Sequence, residues 1–160
     1  MKVKIYEMYL RENRLPYLKA TKTTSVTDEE CYNRPDRIAQ LLKEAFHADR
    51  LSEERVWAIV GDSHYHITAV FEISKGTFNS SAVSPASVLT RALLCGASVV
   101  AVGHNHPSGD CEPSEEDIIF TNNLKSAVEA CGMTFADHVI VGSNCRNAEN
   151  YYSFRDGGLI

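Results

Sequence analysis

Ser98-Val99-Val100-Ala101-Val102-Gly103-His104-Asn105-His106-Pro107-Ser108-Gly109-Asp110-Cys111-Glu112-Pro113-Ser114-Glu115-Glu116-Asp117 is the stretch on which the fold assignment turns. Its apolar opening reads as a buried strand. Pro107, Gly109 and Pro113 then make a rigid, turn-rich loop that leads into a polar helix start. A loop at the carboxyl end of a buried strand is where α/β proteins place their sites. Strand side chains alternate between faces, so His104 and His106 point the same way and can reach one ion. Asp117 follows His106 by eleven residues, in the first turn of the next helix, and can fold back as a third ligand. Two nitrogens and one oxygen, with a fourth position open to water, describe a catalytic rather than a structural zinc.

Asp117 also has a purely structural reading. Ser114-Glu115-Glu116-Asp117 is close to a capping box, with Ser114 as N-cap and Asp117 three positions on. One carboxylate oxygen cannot both close the helix and bind a metal.

At these residues the chain resembles the JAB/JAMM metalloprotease domains. Their signature is a distant Glu, then His-x-His, seven residues, Ser, two residues and Asp. Here His106 is followed by seven residues (Pro107 to Pro113), then Ser114, two residues, and Asp117. Within that superfamily the chain is most similar to the RadC-like branch, whose signature runs His-Asn-His-Pro-Ser-Gly-Asp-Pro-Thr-Pro-Ser. It departs from that pattern at Cys111 and Glu112. The likeness extends upstream through Gly76-Thr77-Phe78-Asn79-Ser80-Ser81 and Pro85, and downstream through Asp137-His138-Val139-Ile140-Val141-Gly142. It covers residues 35 to 156.

The resemblance implies an α/β fold, a mixed-sheet α/β sandwich of the JAB/JAMM type, itself related to the cytidine deaminase fold. It implies a zinc-dependent metallopeptidase that hydrolyses a peptide or isopeptide bond in a protein or peptide substrate. His104, His106 and Asp117 would hold the Zn²⁺. The distant Glu opens the strand before a hairpin, which here is Glu54; the adjacent Glu53 would face the other way, so the assignment rests on register. Glu54 would act as the general base. Ser114 would donate a hydrogen bond to the developing oxyanion, and Asp110 and His138 would orient the ligands. The alternative is a metal-stabilised interaction domain in a DNA repair or mobile-element context, without peptidase activity.

Two other zinc or nuclease readings fail on spacing. HNH nucleases draw their His and Asn from separate positions of a ββα-metal element, so three adjacent letters are a coincidence. Zinc deaminases require His-x-Glu followed by Pro-Cys-x-x-Cys. This chain has His-Asn-His and no Cys-x-x-Cys pair.

With 160 residues the chain has the size of one domain, and 44% hydrophobic against 23% charged residues places it among globular proteins. Its apolar runs fall short of the ~20 residues needed to span a membrane. Met1 to Glu7 lacks the basic start and apolar centre of a signal peptide, so a cytoplasmic location is expected. Cys31, Cys95, Cys111, Cys131 and Cys145 are odd in number and show no framework spacing, which suits a reducing compartment. Cys95 and Cys131 read as small core residues at helix ends. Cys111 reads as a turn filler in the presumed metal loop, with a blocking thiolate ligand as the rival. The net charge is -5 and the Lys and Arg positions are scattered, which disfavours nucleic acid as a partner. The exposed strand edge at Lys2 to Leu10 offers a homo-oligomer contact.

Residues 1–34 read as an N-terminal strand and polar extension, and 35–160 as the RadC-like JAB/JAMM domain. Lys2 to Leu10 alternates as a strand, whereas Arg11 to Arg34 reads as polar and turn-rich. Pro35 to Phe46 is a helix with Ile38, Leu41, Leu42 and Ala45 on one face. Strands are expected at Arg55 to Gly61 and Ile67 to Ser74, joined through a polar hairpin carrying exposed His64 and His66. Gly76 to Pro85 reads as a loop, and Ala86 to Leu94 as a helix ended by Gly96. The helix from Ser114 to Cys131 turns Ile118, Phe120, Leu124, Val128 and Cys131 inward, before strands at Thr134 to Val141 and Tyr151 to Phe154.

Overall fold

The computed structural model describes residues 2–25, 33–76, 83–145 and 150–160. Thr77 to Ser81, part of the family likeness, lie outside the described residues. The elements run β1 (Lys2–Leu10), β2 (Pro16–Ser25), α1 (Pro35–Phe46), β3 (Arg55–Gly61), β4 (Ile67–Lys75), α2 (Pro85–Leu94), β5 (Val99–Asn105), α3 (Glu115–Ala130), β6 (Thr134–Val141) and β7 (Tyr151–Ser153). A short 3₁₀ turn, Ala48–Arg50, follows α1.

Among the described residues the seven strands join one sheet in the order β2-β1-β4-β3-β5-β6-β7. The β1/β4 and β5/β6 pairs are parallel and the rest antiparallel. A parallel pair needs a long crossover, and α3 supplies it between β5 and β6. Helices cover both faces, so the central strands read as unbroken apolar runs instead of alternating ones. On one face α1 packs Ile38, Leu41, Leu42 and Ala45 against Trp57, Ile59, Ala101 and Val139. On the other, Val88 and Ala92 of α2 and Phe120, Leu124 and Val128 of α3 meet Val56, Ala58, Val100 and Val102. The fold is therefore a mixed-sheet α/β sandwich, the architecture that the resemblance implies. Among the described residues no helix is long and apolar enough to cross a membrane.

Close approach at one glycine fixes how α1 sits on the sheet. A Cβ on Gly103 would run into Leu42 Cδ1 and the carbonyl of Val139. Without a side chain there, Leu42 reaches the strand that carries the histidines.

Three expectations need correction. The segment after Leu10 is not merely turn-rich, since Pro16–Ser25 forms an edge strand paired with β1 from Leu10↔Pro16 to Lys2↔Ser25, and Lys2–Leu10, lying between β2 and β4, is therefore not the exposed sheet edge expected of it. Neither face of β2 is deeply buried, so the strand shows no apolar alternation, only β-branched Thr21, Thr23 and Thr24. Nor are Cys95 and Cys131 core residues: Cys95 is half-buried and Cys131 exposed. Each is the last residue before a left-handed glycine, Gly96 at φ 62° and Gly132 at φ 75°, where the chain leaves the packed face.

Candidate metal centre

The site forms where β5 ends, between the start of β3 and the first turn of α3. Val56↔His104 is the last rung of the β3/β5 ladder, and His104↔Ile140 pairs the same residue with β6. His104 is completely buried, whereas His106 lies at the rim with 16% of its side chain exposed.

Asp117 enters from α3. Ser114 caps the helix, with its Oγ accepting from Asp117 N at 3.1 Å. In return Asp117 Oδ2 accepts from Ser114 N at 2.8 Å and from Ser114 Oγ at 2.7 Å. The capping box is therefore real and occupies one oxygen. The other, Oδ1, is buried with no hydrogen-bond partner and lies 3.3 Å from His104 Nε2. His106 Nε2 is 3.5 Å from Oδ2, and the two Nε2 atoms are 2.9 Å apart. One ligand atom from each of Glu54, His104, His106 and Asp117 falls within 4.8 Å of all the others.

The hydrogen-bond partners on the far side of each ring favour one arrangement of protons for the neutral rings. Thr121 Oγ1 donates its only hydrogen to the carbonyl of Asp117 at 2.6 Å. It can then only accept from His138 Nδ1, also at 2.6 Å. That leaves His138 Nε2 as an acceptor, filled by His104 Nδ1 at 2.7 Å. The Nε2 lone pair of a neutral His104 is thus aimed into the site. His106 arrives at the same state by another route, since its Nδ1 donates to the carbonyl of Asp110 at 2.9 Å. Two imidazole lone pairs and one carboxylate oxygen converge without a donor between them. Such a trio is repulsive unless a cation or extra protons lie among them, so the residues present fit a divalent metal.

With no ion between these groups, protons take its place in the electrostatics. Burial raises the Asp117 pKa, but the His104 and His106 imidazoles and Ser114 outweigh it and hold the carboxyl far below its ordinary range. Burial opposes charge on His106, yet Asp117, the Asp110 carbonyl and Glu54 together raise its pKa. His138, wholly buried and stacked 4.6 Å from the Phe154 ring, is pushed well below the usual histidine value by burial and then by His104. It stays neutral and serves as a relay.

Of the two candidate acids at the start of β3, Glu54 joins the cluster and Glu53 pairs with Lys75 at 3.4 Å. Asp110 orients His106 through its backbone carbonyl, while its carboxylate accepts from Glu112 N. Asp137 takes no part. Burial raises its pKa, and it accepts from His138 N, Arg155 N and Ser153 Oγ to tie β7 to β6.

Cys111 departs from both sequence readings. Its sulfur is joined to Cys145, 34 residues away, with the Cα atoms 5.1 Å apart. It is neither a free turn filler nor a member of the metal-binding group, and the cysteines no longer argue for a reducing compartment. The bond spans the place where the metal loop crosses the β6–β7 loop. There the Gly109 carbonyl accepts from Ser143 N and Asn144 N, and a Cβ on Gly142 would strike Gly109 and Cys111.

Sequence reasoning did not find Thr121 or Cys145. Thr121 lies one helical turn beyond Asp117, on the same face, and that spacing was the available signal. Cys145 left none, because its pairing depends on two loops crossing.

The family model for the RadC-like JAB domain matches residues 32–159, so this chain belongs to the RadC-like JAB family. Among curated proteins it is 36% identical over 113 residues to a UPF0758 protein of Actinobacillus pleuropneumoniae serotype 5b, covering 69% of this chain and 49% of the relative. A UPF0758 protein of Lactococcus lactis subsp. cremoris is 38% identical over 112 residues, covering 70% and 47%. One from Clostridium botulinum is 31% identical over 142 residues, covering 89% and 59%. The chain spans about half the length of the first two relatives. As a JAB-family domain it carries a candidate metal-binding group of JAMM type, an arrangement compatible with a hydrolase.

Proposed function

We propose that the domain is a zinc-dependent peptidase acting on a peptide or isopeptide bond of a protein or peptide substrate. The observation that carries this reading is the buried, donor-less Asp117 Oδ1 facing two imidazole nitrogens whose lone pairs are fixed by outer hydrogen bonds. The mixed nitrogen and oxygen set suits zinc, with His104, His106 and Asp117 as ligands. When bound, the ion would supply Lewis-acid polarisation of the scissile carbonyl and acidify a water.

The chain's own groups do the rest. Glu54, half-exposed beside the cluster, takes a proton from the attacking water and returns it to the leaving amine nitrogen. Ser114 lends its hydroxyl to the charge developing on the carbonyl oxygen; at rest that hydrogen bonds Asp117 Oδ2. Thr121, His138 and the Asp110 carbonyl keep both ligand rings in the required tautomer.

Incubation of zinc-loaded protein with a peptide library, with and without chelator, tests the proposal. Cleavage that chelator abolishes and that Glu54→Gln lacks, at unchanged zinc content, is the expected result. Full zinc loading without cleavage of any peptide would favour the metal-stabilised interaction domain.

A further inference from the structure

Asn105 stands between the two histidines, is 1% exposed, and has no part in the chemistry above. Its backbone belongs to the β6 side of the sheet, paired with Val141. Its side chain turns to β3. Oδ1 accepts from Arg55 N at 2.9 Å, and Nδ2 donates to the carbonyl of Glu53 at 3.2 Å. These two groups bracket Glu54.

The β3/β5 ladder ends at Val56↔His104. On the other side of the strand, Gly76 N bonds the Glu54 carbonyl at 2.9 Å, so β4 holds that edge. The edge facing β5 has an N–H at Arg55 and a C=O at Glu53 with no further rung to meet them. A carboxamide carries an acceptor and a donor on one carbon, as a peptide group does, and it substitutes here for a rung that β5 cannot supply. Aspartate would lose the donor, and serine has only one oxygen to do both jobs.

We infer that Asn105 is the positioning residue for Glu54, clamping the peptide groups on either side so that the carboxylate stays over the histidine–aspartate cluster. The inference rests on the proposed role of Glu54. It gives the middle residue of His104-Asn105-His106 a function: the strand that delivers two proposed ligands also sets the register of Glu54, the second acidic member of the cluster.

The test loads the full chain, Asn105→Ala, Asn105→Asp and Glu54→Gln with Co²⁺ alone. It records stoichiometry, visible absorption and amide hydrogen exchange. Asn105→Ala should bind about one Co²⁺ per chain and show a spectrum displaced from the parent in the direction that Glu54→Gln displaces it. Exchange at the Arg55 amide should accelerate about tenfold, while the amides of the Val56↔His104 rung stay protected. A merely structural role would lower stability and leave the cobalt spectrum of the folded fraction unchanged, and that outcome overturns the inference. Should Asn105→Ala fail to fold, Asn105→Asp serves in its place. It keeps the acceptor for Arg55 but sets an oxygen against the Glu53 carbonyl, and it should show the same spectral displacement. A parent-like spectrum in Glu54→Gln itself would show that Glu54 does not act at the ion, which removes the base assignment and this inference together. A parent-like Asn105 variant beside a displaced Glu54→Gln removes the inference alone.

Discussion

Asp117 Oδ1 lies 3.3 Å from His104 Nε2 with no hydrogen bond of its own, while Oδ2 of the same carboxylate closes the start of α3. The capping reading of Ser114-x-x-Asp117 is met on one oxygen, and the other is left free for the proposed metal. Because the cap immobilises the carboxylate, the oxygen that would serve as the proposed ligand is held in place by the helix start itself.

Asp117→Asn should separate the two duties. An amide oxygen still accepts from Ser114, so unfolding in the presence of chelator should shift by no more than about 1 kcal/mol, or about 2–4 °C. Zinc affinity, measured against a chromogenic chelator, should fall by more than the about 10–100-fold that outer hydrogen-bond losses produce.

Thr121→Val keeps the shape of the side chain and removes the hydroxyl that accepts from His138 and donates to Asp117 O. The His104 tautomer then loses its anchor. Zinc affinity should drop about 10–100-fold, with the far-ultraviolet dichroism of the folded protein unchanged. His138→Phe should lower affinity in the same range.

Metal-free and zinc-loaded protein should respond to pH in opposite senses. The raised His106 pKa means that the fold favours the cationic ring. Its contribution to metal-free stability is complete below the unfolded value near 6.5 and disappears as pH rises through the higher folded value. Zinc requires the neutral ring, so its stabilisation grows over the same interval. Thermal unfolding at about pH 5.5 and pH 8, with and without zinc, should show the larger zinc-induced gap at the higher pH.

The Cys111–Cys145 bond closes a loop of 34 residues. Chain entropy gives such a staple about 3–4 kcal/mol. Urea titration of zinc-loaded protein with and without a reducing agent should reveal a loss of that order. Cys145→Ser should reproduce it and be insensitive to the reductant.

Much of the candidate site was legible because three of its four members sit in one short run. His104, His106 and Asp117 announce themselves through strand alternation, a proline-rich loop and a helix cap, all local rules. Glu54 needed the family likeness, since nothing in its own neighbourhood separates it from Glu53; the difference lies in the direction each takes just before β3, Glu54 to the cluster and Glu53 to Lys75. The outer groups were harder. Thr121 and His138 meet only because β6 lies beside β5 with α3 above both, and the bond between Cys111 and Cys145 exists only where two loops cross. In the fold, α1 and the buried strands followed from periodicity. Strand β2 did not, because an edge exposed on both faces leaves no apolar rhythm for a sequence to record.

The interior contacts of Asp117 have a circular order. Its carbonyl directs Thr121, Thr121 directs His138, and His138 directs His104, whose nitrogen faces the side-chain oxygen of Asp117 again. A residue that is both first and last in such a circuit makes the defects at its members interdependent. Removing any two links should harm cation retention by less than the sum of the separate lesions, since a broken circuit has little left to lose.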